Sequence, residues 1–106
     1  MCESQILMIN QGANFELTIE PETLGVDYSG YFIEFIIGQV ATYSTGTGHI
    51  SISEKGAKVL IPVAETLLLD FTQKPFQVFF YVDNTKNDGF LAGSGIIQLN
   101  QKLLDA

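Results

Sequence analysis

Tyr31-Phe32-Ile33-Glu34-Phe35-Ile36-Ile37-Gly38 is the stretch that decides the fold. In an extended chain successive side chains point to opposite faces, so Tyr31, Ile33, Phe35 and Ile37 share one side and Phe32, Glu34, Ile36 and Gly38 the other. Both sides are largely apolar. A second run of the same kind follows Pro75, with Phe76, Val78, Phe80 and Val82 on one face and Gln77, Phe79, Tyr81 and Asp83 on the other. The density of Phe, Tyr, Ile and Val over seven or eight residues predicts strands, because a buried helix runs longer and carries Leu, Ala and Glu. Two strands with apolar residues on both faces belong in the centre of a sheet.

Weaker strand signals surround these two: Ser4 to Asn10, Phe15 to Glu20, Gly48 to Ser53, Ala57 to Pro62 and Phe90 to Leu99. The segments between them carry turn chemistry at Asn10-Gln11-Gly12, Glu20-Pro21-Glu22, Thr45-Gly46-Thr47-Gly48, Glu54-Lys55-Gly56 and Asn84 to Gly89. About seven short strands with regular turns predict an all-β sandwich or barrel. The Glu54-Lys55-Gly56 turn is expected to place Gly56 at positive φ and to fold Ile50 and Ile52 against Val59 and Ile61. Ala64 to Asp70 lacks alternation and is rich in helix formers, which predicts one or two helical turns crossing an end of the sandwich.

The 106 residues form one predicted domain spanning 1–106, with 46% apolar composition to fill its core. Cys2 is the sole cysteine, so no internal disulfide can form, and its place beside Met1 predicts a flexible terminus. The opening residues lack the positive charge and apolar run of a secretory signal, and no apolar run has transmembrane length. Twelve acidic residues against five lysines give a net charge of −7, which opposes binding to nucleic acid or anionic lipid.

Catalytic and metal-binding patterns are weak. Any nucleophilic triad would depend on His49 alone, at a loop-to-strand junction, where the simpler reading is an exposed or edge-strand histidine. One Cys and one His cannot build a structural zinc site. Asp83-Asn84-Thr85-Lys86-Asn87-Asp88-Gly89 begins like a calcium loop, yet Asp88 stands where glycine is needed and Ser94 where the bidentate Glu belongs. It reads as a polar connection, with Asn87, Asp88 and Gly89 supplying the turn dihedrals. Gly46-Thr47-Gly48 and Gly93-Ser94-Gly95 precede no helix, which argues against a phosphate cradle. No catalytic residue, cofactor or metal is expected.

Phe32, Ile36, Phe79 and Tyr81 occupy the second faces of strands whose first faces already fill a core. They are the candidate interface residues, the alternative being that the domain's own loops cover them.

Gln11-Gly12-Ala13-Asn14-Phe15-Glu16-Leu17-Thr18-Ile19, followed by Val26-Asp27-Tyr28-Ser29-Gly30-Tyr31, resembles the Ig-like β-sandwich domains of tailed-bacteriophage virion proteins. The nearest pattern is that of the N-terminal domain of baseplate upper proteins, whose opening Gln-Gly-Ala/Asp-x-Phe strand leads to a Gly-Tyr start of the next. Phe32-Ile33-Glu34-Phe35 stands where members of that group often carry an Arg-rich strand. The resemblance implies a single Ig-like antiparallel sandwich with a short helical turn. It further implies a non-enzymatic virion structural protein, assembled in the host cytoplasm, acting as a tail, baseplate or neck adaptor or a decoration subunit. Its partners would be other virion proteins or further copies of itself. The competing expectation is a soluble acidic inhibitor or adaptor that occupies a basic site on a host protein. Clustering of Glu20, Glu22, Asp27, Asp83 and Asp88 at one loop end is the mark of that second reading.

Overall fold

The computed structural model describes residues 4–21 and 27–101. Eight strands follow in order: β1 (Ser4–Asn10), β2 (Phe15–Ile19), β3 (Phe32–Ile37), β4 (Ala41–Ser44), β5 (Ile50–Ser53), β6 (Gly56–Ile61), β7 (Gln73–Tyr81) and β8 (Gly89–Asn100). A 3-10 turn spans Thr45–Thr47, and one short helix, α1 (Val63–Thr66), joins β6 to β7. Five strands form one sheet in the order β1-β8-β7-β3-β4, and three form the other in the order β2-β6-β5. The two sheets make an all-β sandwich, with the short hairpin strand β4 extending the larger sheet.

The alternation read from the sequence places the core. Ile33, Phe35 and Ile37 from β3 and Phe76, Val78 and Phe80 from β7 point inward and are buried against Phe15, Ile50, Val59 and Ile61 of the smaller sheet. Phe15 stacks on Phe35 at 6.1 Å across the layers. Val82, expected to continue the inward face, lies beyond the end of β7 and is exposed.

Three features depart from the sequence expectation. β4 is an eighth strand, and it pairs with β3 through Phe35↔Tyr43 and Ile36↔Thr42. The sandwich is not wholly antiparallel, because β1 pairs with β8 in parallel, from Ser4↔Ser94 to Asn10↔Asn100. Gly56 does not adopt positive φ. Its requirement is proximity, since a Cβ there would lie 2.1 Å from the Ile19 carbonyl oxygen. The hairpin register sets Ile50 opposite Val59 and Ile52 opposite Ala57, one pair short of Ile61.

The segments around residues 11–14 and 27–31 are anchors at opposite ends of the sandwich. At one end the turn between β1 and β2 grips α1. Gly12 N–H donates to Thr66 Oγ1 at 3.2 Å, Thr66 Oγ1 donates to the Ala13 carbonyl at 2.9 Å, and Val63 N–H donates to Asn14 Oδ1 at 3.0 Å. Gln11 Nε2 donates to the carbonyls of Leu67 and Leu69. Thr66 is fully buried, and φ 88° at Gly12 explains the glycine. At the other end Tyr28 plugs the core, edge-on to Tyr31 at 5.0 Å and to Phe80 at 5.2 Å. Its N–H donates to the Glu54 carbonyl, tying this loop to the β5–β6 turn. Cys2, Glu22 and Val26 lie outside the described residues.

Candidate functional site

The two outer faces of the sandwich differ in chemistry. On the smaller sheet, β2 presents Glu16 and Thr18, β5 presents Ser51 and Ser53, and β6 presents Lys58 and Leu60. Lys58 Nζ pairs with Glu16 Oε1 at 2.7 Å in the open. This is an ordinary solvated face.

The outer face of the larger sheet is apolar and almost uncharged. The register sorts its side chains into rows that run across the strands. Toward the loop end, Phe32 stands opposite Tyr81, and Phe79 opposite Leu91. Phe79 and Tyr81 stack on each other at 5.8 Å. In the middle, Ile36 stands opposite Gln77, and Gln77 opposite Ser94. Toward the α1 end, Pro75 stands opposite Ile96 and Ile96 opposite Ile6, whose side chain is 74% exposed. Ile36, Gly38, Pro75 and Ile96 line a shallow depression there. All four candidate interface residues, Phe32, Ile36, Phe79 and Tyr81, therefore share this one face, each half-buried. Ile6, Met8, Leu91 and Ile96 widen it.

Glu34 carries the single charge among the described strand residues of this face, and it is only 9% exposed. A buried carboxylate needs a partner. Lys86 supplies it, reaching back from the β7–β8 loop to place Nζ 2.6 Å from Glu34 Oε2 and 5.6 Å from the centre of the Phe32 ring. The Glu34 hydrogen bond holds the Lys86 ammonium above its ordinary pKa. Lys86 has φ 61°, so the left-handed residue of this loop is Lys86 and not Asn87 or Asp88, as the composition had suggested. The sequence held a signal for the pair: one acid inside an apolar strand demands a cation, and this loop carries one lysine among its acids.

His49 is not exposed; it directly precedes the edge strand β5, and its carbonyl accepts from Leu60 N–H at 2.8 Å. Half-buried between the 3-10 turn and β5, it sits edge-on to Tyr43 at 4.8 Å, with Nε2 2.6 Å from Glu65 Oε1 and Nδ1 2.7 Å from Thr47 Oγ1. A hydroxyl, an imidazole and a carboxylate in line resemble a catalytic triad in outline. The Thr47 hydroxyl, however, accepts from Ser44 N–H at 3.0 Å and lies 2.9 Å from the Ser44 carbonyl, closing a capping box around the 3-10 turn. The arrangement ties this turn to α1. Burial, and then the nearby Glu65 carboxylate, push the Tyr43 hydroxyl above its ordinary pKa.

The loop end holds a second charged feature. Glu20, Asp27, Glu54, Asp83 and Asp88 occupy the β2–β3, β5–β6 and β7–β8 connections, which converge around Tyr28. Asp27 and Asp83 are each held below the ordinary carboxylate pKa by hydrogen bonds from the residue two places on, Ser29 and Thr85. Those are local turn bonds. No group of His, Cys, Asp and Glu side chains able to hold a metal occurs among the described residues, and no described helix is long and apolar enough to cross a membrane.

Comparison with protein-family models and with curated proteins finds no match to this chain.

Proposed function

We propose that this protein is a non-enzymatic assembly subunit that binds other proteins through the outer face of its five-stranded sheet. The observation that carries the reading is the contrast between the two outer faces. One is polar and ion-paired, and the other is apolar with its one charge neutralised internally. Depletion of charge with enrichment of aromatic residues marks the core of a protein interface. Among the described residues β1 and β4 are the outermost strands of this sheet and border the same face, so an extended segment of a partner could add to the sheet there. The Thr47 hydroxyl beside His49 is held by the Ser44 backbone in a capping box, which supports the non-catalytic reading.

The setting we propose is the virion of a tailed bacteriophage, as a tail, baseplate or neck adaptor or a decoration subunit, on the strength of the two motifs that anchor the ends of this sandwich. Quantitative mass spectrometry of purified particles beside infected-cell lysate tests it. A fixed copy number per particle is the expected result; abundance in lysate with absence from particles would overturn it. A Phe79→Asp variant that folds should fail to be incorporated.

A second reading, the acidic inhibitor or adaptor, is favoured by one observation: Glu20, Asp27, Asp83 and Asp88 do gather at one loop end. Under that reading, binding to a basic host protein weakens steeply with salt and with Asp88→Asn plus Glu20→Gln. Insensitivity to both changes removes it.

A further inference from the structure

Resting on the reading of the outer sheet face as an interface, we infer that its first occupant is a second copy of this chain, packed face to face about a two-fold axis that passes near Gln77 and runs across the strands.

Charge selects the partner. The chain bears −7 overall, so two copies repel on most approaches. The five-stranded face can meet itself without apposing unpaired like charges, since Glu34 and Lys86 neutralise each other, and unlike the smaller sheet's face it has apolar surface to bury. The polar side chains in the row through Gln77 are Thr42, Gln77 and Ser94, each both donor and acceptor, so they can satisfy their counterparts along a two-fold axis that follows this row.

Shape selects the axis. Gln77 lies on β7, the middle strand of the sheet, between an aromatic row on one side and an aliphatic depression on the other. A two-fold axis at Gln77 running across the strands reverses the second copy end for end. It sets Phe79 of each copy over the Pro75 and Ile96 part of the depression in the other, with Tyr81 stacked beside it toward Gln73. Ring meets hollow twice, which is the reciprocity an isologous interface requires.

Area permits it. Strands about 4.8 Å apart and roughly 20–25 Å long give five of them a plan of about 500 Å². Two apposed faces therefore remove on the order of 1,000 Å² or more from water, which reaches the range of specific interfaces and predicts micromolar association rather than an obligate dimer.

Analytical ultracentrifugation of the full chain up to about 100 μM tests this, with a dimer of twice 11.6 kDa expected. Gln77 is exposed, so charge there costs the fold little. Gln77→Asp and Gln77→Lys should each weaken self-association at least tenfold, and an equimolar mixture of the two should restore it, because residue 77 meets its own copy. Thr18→Asp, an equal charge change on the opposite sheet, should leave the dimer intact. A wild-type chain that stays at 11.6 kDa, a Gln77→Asp variant that dimerises normally, or a mixture that stays monomeric each overturns the inference. If the wild type is monomeric while Phe79→Asp still blocks incorporation into particles, the second copy is wrong and the interface reading stands. If Phe79→Asp is also without effect, both fall.

Discussion

Replacing Thr66 by valine probes the clamp between the β1–β2 turn and α1 with almost no change of shape. The hydroxyl is buried, accepts from Gly12 N–H and donates to the Ala13 carbonyl. Valine fills the same space and removes both bonds. A lost hydrogen bond costs about 1 kcal/mol net, and more where the stranded group is shielded from water. Gly12 is half-buried while Ala13 is exposed, so water can replace the bond at Ala13 more easily than at Gly12. The sum is about 2 kcal/mol, equivalent to a fall of roughly 8–15 °C in melting temperature for a domain of this size. Thr66→Ser keeps the hydroxyl and deletes a buried methyl, for about 1 kcal/mol. Urea denaturation followed by circular dichroism should rank the three proteins wild type, Ser, Val. A valine variant as stable as wild type, or more stable than the serine variant, would refute the claim that this clamp anchors the turn.

Further outcomes follow from other sites. Gly56→Ala should destabilise by at least 2 kcal/mol or block folding, since its Cβ meets the backbone of Ile19 and Glu20; denaturation midpoints check this. Lys86→Met should lower the denaturation midpoint by leaving the Glu34 carboxylate unpaired, and adding Glu34→Gln should recover part of the loss. The Tyr43 hydroxyl is raised above its ordinary value of 10.0. The folded state thus holds that proton more tightly than the unfolded one, and the stability it adds is present below about pH 10 and lost as pH climbs through the folded value. Absorbance titration should show a late-ionising tyrosine that Tyr43→Phe removes and Glu65→Gln shifts downward.

Much of the architecture was legible because period-two alternation is a local property. β3 and β7 announced themselves by being apolar on both faces, and the break in alternation after Pro62 located α1. β4 escaped notice because Ala41-Thr42-Tyr43-Ser44 is four residues long with a single large inward side chain, too short for any period to register. The parallel pairing of β1 with β8 was invisible for a different reason: a strand's own residues say which face is buried, not which neighbour it joins. Gly56 was read for its dihedral freedom, whereas its role is set by Ile19 from another strand. The same division holds at the site. Phe32, Ile36, Phe79 and Tyr81 could be assigned to second faces from sequence alone. That these faces are one surface, extended by Ile6 and Ile96 and covered in part by Lys86, depends on strand order and on a loop folding back.

The position of β8 between β1 and β7 has a consequence for synthesis in the cell. β1 finds its described hydrogen-bonding neighbour only once β8 has been made, so the large sheet cannot close before then. Until then β1 and β7 both lack the ladder partner that lies between them. Such a chain folds late and comparatively slowly, because its decisive contacts are its most distant ones in sequence. Chains stalled before residue 89 should accumulate as targets for chaperones or proteases rather than as folded domains.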